Sequence, residues 1–305
     1  MTQTLTQALD IEHLLDQRSM TPLQILLAVL CGATMFIDGF GIQVMALSVP
    51  SMAAEWSLPA TQFGMAMSAS MIGLTLGAAV LAPLSDRFGR RPALISALVV
   101  VGLTTACTVM ATSPEQFVGW RLLTGLGLGV SIPICNTWAA EYIPVRRRGM
   151  VLVLINASMG IGAFSAGFIA PLVIEAWSWR GIFLLAGVTP VLVALLLWRW
   201  APESLKFLNA RHPGDPRIAT TLARIAPDID IRNVELVRQT QSKVPRFSVR
   251  SLLSPVYRNR TLLLWSLLIL NLFNLYLLIS WLPTLLQSVG WAPADALRAA
   301  VLIQA

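Results

Sequence analysis

Ala82-Pro83-Leu84-Ser85-Asp86-Arg87-Phe88-Gly89-Arg90-Arg91 joins two long apolar runs, 60–84 and 92–112. Each run has the roughly 20 mostly apolar residues that a helix needs to cross a hydrocarbon layer about 30 Å thick. The stretch between them therefore reads as the tight turn of a membrane-spanning helical hairpin. Gly89 permits the reversal. Asp86 can accept hydrogen bonds from a helix amino terminus or from arginines of neighbouring helices; the plainer alternative is a solvated acid in a basic turn.

Working outward, five more segments have spanning length, so that the spans fall near 22–50, 60–84, 92–112, 115–140, 150–173, 181–200 and 260–283. All are expected to be helical, because lipid offers backbone groups no partner and a closed barrel would need alternating strands. Composition agrees. Hydrophobic residues make up 56% of the 305 and charged ones only 12%, against about 25% charged in a soluble domain. The formal charge of +7 sits between apolar runs rather than on one continuous basic face, which excludes nucleic acid as the partner and leaves membrane lipid. Residues 1–20 lack the apolar core of a signal peptide. Cys31, Cys107 and Cys135 lie in apolar runs without metal-ligand spacing, and His13 and His212 lie in polar segments, so no metal and no cofactor is expected.

The connections give the orientation, since Lys and Arg near span ends stay cytoplasmic. Arg18, the turn at 87–91, the turn at 146–148 and eleven Lys or Arg in 201–260 fall on one side, and only Arg180 on the other. The amino terminus and the long segment are thus expected in the cytoplasm. The chain divides into a six-helix amino-terminal bundle (1–200), a central loop (201–259) in which Leu205–Arg211 and Pro216–Ile225 form short surface helices, and the start of a second bundle (260–305). Its last apolar run, 292–305, is too short to span; the sequence is expected to stop within an eighth helix, with a missing carboxy-terminal bundle as partner. Sliding the chain by 233 positions aligns Asp38 with Asn271, Phe40 with Phe273 and Pro50 with Pro283, which places spans one and seven in register.

The 82–91 stretch resembles the loop signature of the major facilitator superfamily, with Ala82 in place of the usual leading glycine. Arg121-Leu122-Leu123-Thr124-Gly125-Leu126-Gly127-Leu128-Gly129 is similar to that superfamily's fourth-helix motif, Glu141-Tyr142-Ile143-Pro144 through Arg148-Gly149 to its following turn, and Pro202-Glu203-Ser204 to its sixth-helix end. Within it, Asp38-Gly39-Phe40-Gly41-Ile42-Gln43, Ser280-Trp281-Leu282-Pro283-Thr284 and Glu203-Ser204-Leu205-Lys206-Phe207-Leu208 most resemble the aromatic acid:proton symporters. That family carries a second Asp where this chain has Gly41. The resemblance implies an all-α major facilitator fold in the cell (inner) membrane and symport of a small organic acid with protons. It also implies that Asp86, Arg87, Gly89, Arg90, Arg91, Glu141 and Arg148 serve the conformational change. Drug export, sugar uptake and dicarboxylate exchange use the same scaffold, and a membrane sensor with 201–259 as its output is the alternative outside transport. No nucleophile–base set supports an enzyme.

Ionisable groups inside spans are costly and mark function by default. Asp38 and Arg121 are the two that lie well inside. Counting along helices one and four leaves a gap that a long arginine can bridge, so the two are expected to meet, as a proton-coupling pair or as a permanent ion pair. Phe40, Gln43, Asn156, Asn271, Asn274 and Tyr276 offer rings and hydrogen bonds to an aromatic carboxylate, or to one another across helices. Gly125, Gly127, Gly129, Gly160, Gly162 and Gly167 let helices approach and rock, and Ala166, Gly167, Ala170 and Pro171 form a small-residue stripe. The charge asymmetry makes a direct prediction: cysteines introduced at 210–240 react with an impermeant maleimide in inside-out vesicles and not in intact cells. Labelling from outside intact cells would reverse the topology.

Overall fold

The computed structural model describes residues 8–9, 15–16, 18–212, 214–226, 235–236, 253–292, 295 and 299. Most of the 292–305 run lies outside the described residues, as does most of the central segment beyond 226.

Helices dominate. They are α1 (Pro22–Trp56), α2 (Ala60–Phe88), α3 (Arg90–Met110) and α4 (Pro114–Tyr142), followed by one continuous stretch, Val145–Trp200. That stretch is two helices, α5 (145–176) and α6 (179–200), folded at Trp177 and Ser178, whose φ of 61° takes it out of helical geometry. The connection expected at 174–180 is thus a two-residue corner. Among the described residues, these five stretches are long and apolar enough to cross a membrane. Two short helices, α7 (Leu205–Arg211) and α8 (Pro216–Ile225), stand where expected. A last long helix, α9 (Arg258–Ser288), follows. One element departs from the all-α expectation: β1 (Ala8–Leu9) pairs in parallel with β2 (Glu235–Leu236), a two-residue contact too short to build a sheet.

Local chemistry sets the ends. Thr21 and Gln24 form a reciprocal capping box ahead of Pro22, and Ser113 accepts from the Gln116 N–H before Pro114, each satisfying donors a helix start leaves orphaned. Asp215 caps α8 through the Arg217 N–H. Helix α1 runs past the expected end at 50, because Pro50 is accommodated inside it. Near its carboxy end α2 loosens into a π turn at Gly77–Leu81 and a tight turn at Ala82–Leu84, where Pro83 cannot donate.

Between helices the backbones nearly touch. A Cβ on Gly125 or Gly129 of α4 would collide with the carbonyls of Ser70 and Leu74 on α2, and one on Gly73 or Gly77 of α2 with those of Leu122 and Leu126 on α4. Gly39 on α1 and Gly162 on α5 meet the Met159 and Phe36 carbonyls in the same way. So α1 pairs with α5 as α4 pairs with α2, the pattern expected if 1–3 and 4–6 are inverted repeats. Behind them α3 and α6 cross at Gly102 and Gly187, and their Leu94, Leu98, Val193 and Leu197 share one buried cluster with Leu23, Leu27 and Leu30 of α1. At the other end Trp56, Phe63, Phe117, Trp179 and Phe183 cluster at 5.7–6.3 Å, Trp56 stacked on Phe63 at 27° and the other pairs edge to face.

Not every glycine is a contact. Around Gly160 nothing lies within reach of an added Cβ. Gly129→Leu is therefore expected to destabilise the detergent-solubilised protein by roughly 1–3 kcal/mol or to prevent folding, as overpacking does, while Gly160→Ala leaves thermal unfolding unchanged. Equal effects from the two would remove the backbone-crossing account.

Candidate functional site

Asp38 sits in the middle of α1 and is fully enclosed, at 0% exposure. Its Oδ2 accepts from Ser131 Oγ on α4 at 2.5 Å, and Oδ1 has no hydrogen-bond partner. Arg121, also on α4 and 2% exposed, donates from Nε to Ser70 Oγ on α2 at 3.0 Å and lies 6.0 Å over the Phe183 ring. The expected meeting of Asp38 and Arg121 does not occur. Register explains it: Asp38 is level with Ser131, ten positions beyond Arg121, which is about 15 Å along the helix axis and beyond an arginine's reach. The bundle interior therefore holds one buried acid and one buried base, each bonded to a serine instead of to the other. Arg121, Ser70 and Met71 line a small void that also touches Ile42, Met45 and Ala46 of α1.

Around this centre the candidate binding residues separate. Phe40 is buried in an apolar cluster with Val44, Ala166 and Ala170, and both amide atoms of the wholly buried Gln43 lack partners. Gly41 is half-exposed with open space where a side chain would project, so the position at which the symporters carry their second Asp is free but holds no acid. Asn156 is exposed on α5 and exchanges hydrogen bonds with Asn136 of α4, at 2.7 and 3.3 Å. On α9, Asn271 and Asn274 are exposed, Asn274 donating to its own helix at the Leu270 carbonyl. The Tyr276 side chain lies outside the described residues.

The turn at 82–91 does assemble. Gly89 has φ 106°, and a Cβ there would run into the Glu203 carboxylate. The guanidinium of Arg90 reaches Asp86 at 2.7 Å, Glu141 at 3.3 Å and the Ser85 carbonyl at 3.2 Å. Arg91 donates to the Trp198 carbonyl, Arg87 lies over Phe88, and Arg148 donates to the Ile143 carbonyl. The acid at the start of α3 is Glu203, however, and not Asp86: its Oε1 accepts from the N–H groups of Arg90 at 2.9 Å, Arg91 at 3.2 Å and Ser204 at 2.8 Å. Asp86, with 70% of its side chain exposed, keeps to Arg90. Tyr142 OH donates to the Glu203 carbonyl, Gln24 to the Tyr142 carbonyl, and Ser204 Oγ to Glu141. Helices α1, α3, α4 and α6 are thereby tied at one end. At the opposite end Glu55 holds Arg180 at 2.5 Å and accepts from Trp179 Nε1 at 2.7 Å.

Sequence reasoning passed over Ser131, Ser70 and Asn136. Each was visible as a lone polar residue in an apolar span, but serine and asparagine in spans often serve only their own helix, so the partner and not the residue type carries the information.

The sequence profile of the Major Facilitator Superfamily matches residues 30–305, and the chain belongs to that superfamily, whose members are transporters and not enzymes. The chain is 34% identical to the 4-hydroxybenzoate transporter PcaK of Pseudomonas putida, over 98% of this chain and 67% of that protein. It is 35% identical to the gallate transporter of Pseudomonas putida, over 92% and 63%. Among solved structures, the partially occluded inward-open xylose transporter XylE from E. coli has a TM-score of 0.67 at 17% identity, covering 92% of this chain and 68% of that one. The chain thus spans about two thirds of the length of the curated relatives it matches.

The Glu203 contacts predict an asymmetry. Glu203→Ala removes a charged acceptor from a helix amino terminus and is expected to cost about 1–2 kcal/mol, whereas Asp86→Ala, an exposed pair, costs well under ~1 kcal/mol. Thermal unfolding of the two variants in detergent measures it, and the reverse order would move the anchor to Asp86.

Proposed function

We propose that this protein carries a small organic anion, an aromatic acid, across the cell membrane in symport with protons, with its amino terminus in the cytoplasm. The observation that carries the proposal is Asp38, an enclosed carboxylate with one oxygen on Ser131, the other unpartnered, and no cation at ion-pair distance among the described residues. An unpaired charge so placed is costly. A bound proton cancels that cost, so the energy of the α1–α4 contact depends on proton occupancy, which is what a proton-coupled carrier needs.

Arg121 supplies the complementary element. Its charge is permanent, and its present partners, a neutral hydroxyl and a ring face, leave it able to take a carboxylate. In this assignment Asp38 and Arg121 divide the coupling: one binds the proton, the other the anion. Phe40, Gln43, Asn156, Asn271, Asn274 and Tyr276 contribute to substrate binding, and Asp86, Arg87, Gly89, Arg90, Arg91, Glu141 and Arg148 to the conformational change. The unpartnered amide of Gln43 supports a polar guest near α1, and the names of the relatives, 4-hydroxybenzoate and gallate transporters, support an aromatic one. A carrier of this architecture works by rocking one six-helix bundle against another, so 1–200 acts as one bundle and α9 as the beginning of its counterpart.

Asp38→Asn tests the coupling in the whole gene product, since an amide keeps the shape and the Ser131 bond but cannot take up and release a proton. In vesicles with an imposed proton gradient the variant is expected to lose concentrative uptake of labelled 4-hydroxybenzoate, at least tenfold, while retaining exchange of labelled for unlabelled acid. Accumulation against the gradient at the wild-type level would place coupling elsewhere.

A further inference from the structure

Asn136 and Asn156 form the one reciprocal side-chain amide pair among the described residues, and its bonds can be counted. Asn136 Nδ2 donates to the Ile132 carbonyl at 3.0 Å and to Asn156 Oδ1 at 3.3 Å. Asn156 Nδ2 donates to the Leu152 carbonyl at 2.7 Å and to Asn136 Oδ1 at 2.7 Å. An amide nitrogen has two hydrogens and an amide oxygen two lone pairs. All four hydrogens are therefore used, and one lone pair remains on each oxygen. The two main-chain carbonyls fix which way round each amide lies, because a flipped amide would set oxygen against oxygen.

The pair also has a definite place. At 3.6 residues per turn, Asn136 falls on the side of α4 turned away from Gly127, which faces α3, and from Ser131 and Tyr142, which face α1; it is the side that Gly125 and Gly129 turn to α2 two to three turns earlier. It lies five positions from Ser131, about 7.5 Å along the axis, towards the turn with the basic residues. Asn156 is exposed, Asn136 half-buried, and α4 and α5 share little other contact. Each oxygen already accepts one bond and is satisfied as a helix carbonyl is; its second lone pair gains only where a donor can reach it, which the water-filled path of a carrier provides and lipid does not.

We infer that Asn136 and Asn156 form an acceptor-only clasp that binds a hydrogen-bond donor on the substrate, the ring hydroxyl of a phenolic acid, and not its carboxylate. The inference rests on the aromatic-acid function proposed above and assigns the two ends of such a substrate. The carboxylate is repelled by two amide oxygens, and Arg121 lies fifteen positions, about 22 Å, away along α4; while the clasp is engaged the carboxylate falls to groups on the opposing bundle, and Arg121 holds it only at another stage of transport. A hydroxyl donates into the clasp while keeping its own oxygen free. The clasp makes Asn136 and Asn156 specificity residues: they distinguish a hydroxylated ring from a bare one.

The test uses the whole gene product in vesicles with an imposed proton gradient, with labelled 4-hydroxybenzoate and benzoate as probes. The wild type is expected to show a KM for 4-hydroxybenzoate about five- to tenfold below that for benzoate, the worth of one net hydrogen bond. Asn136→Ala and Asn156→Ala are expected to close that gap, raising the KM for 4-hydroxybenzoate far more than that for benzoate. As a check that needs no variant, 4-methoxybenzoate, which has the oxygen but not the donor, should compete no better than benzoate. A wild type without hydroxyl preference, variants that raise both KM values together, or methoxybenzoate competing as well as the phenol would each overturn the clasp while the aromatic-acid function stands. A wild type that takes up neither acid would overturn that function, and the clasp with it.

Discussion

Helices in hydrocarbon gain nothing by hiding apolar side chains from one another, since lipid tails are equally apolar, and what holds them is the closeness with which their backbones pack. In this chain that closeness is concentrated at a few crossings: Gly39 with Gly162, Gly73 and Gly77 with Gly125 and Gly129, and Gly102 with Gly187. Everything at the candidate site follows from these contacts. The α2–α4 crossing brings Ser70 under the Arg121 guanidinium, and the α1–α5 crossing sets the depth at which Asp38 finds Ser131. A bundle held this way is stiff at its crossings and permissive between them, where Gln43, Ser48 and Trp138 leave buried polar atoms without partners.

Much of this was legible in the chain. Length and apolarity located the spans, because the bilayer imposes a thickness that sequence must match. The 82–91 turn, Glu141 and Glu203 gave the family. Asp38 and Arg121 stood out because ionised groups are rare at that depth. Their pairing was misjudged because it rests on the axial offset between α1 and α4, and offset is set by glycine crossings between helices far apart in sequence. Counting residues from the middle of each span assumes that both helices are centred alike; Pro50 inside α1, and the six residues by which that helix overruns 50 to reach Trp56, show that they are not. In the same way Asp86 and Glu203 are interchangeable to a reader of sequence, since either acid suits a helix amino terminus. The fold chooses Glu203, because α6 ends beside the start of α3 while Gly89 turns Asp86 outward.

The separation of Asp38 from Arg121 changes what each can do. An acid and a base bonded to each other hold one another's charge constant, and little disturbs either. Bonded to Ser131 and Ser70, each is instead compensated by a neutral dipole, which a competing ion or a proton can displace at modest cost. With Gly41 bare, α1 has one acid here and not two, so electrostatic repulsion between neighbouring carboxylates plays no part in setting its protonation.

The corner at Trp177 and Ser178 bears on how the molecule is made. With a two-residue corner between them, α5 and α6 form one hairpin, and its tip carries Arg180. Dragging a guanidinium through the membrane centre costs about 2.5–3.5 kcal/mol on insertion scales. In the orientation proposed above, helix α1, made first, has by then already delivered Glu55 to the far side, and the aromatic floor of Trp56, Phe63 and Phe117 stands next to it. The order in which the ribosome releases the spans therefore puts the anion in place before the cation arrives, and the last hairpin of the bundle is drawn into a socket its predecessors have built.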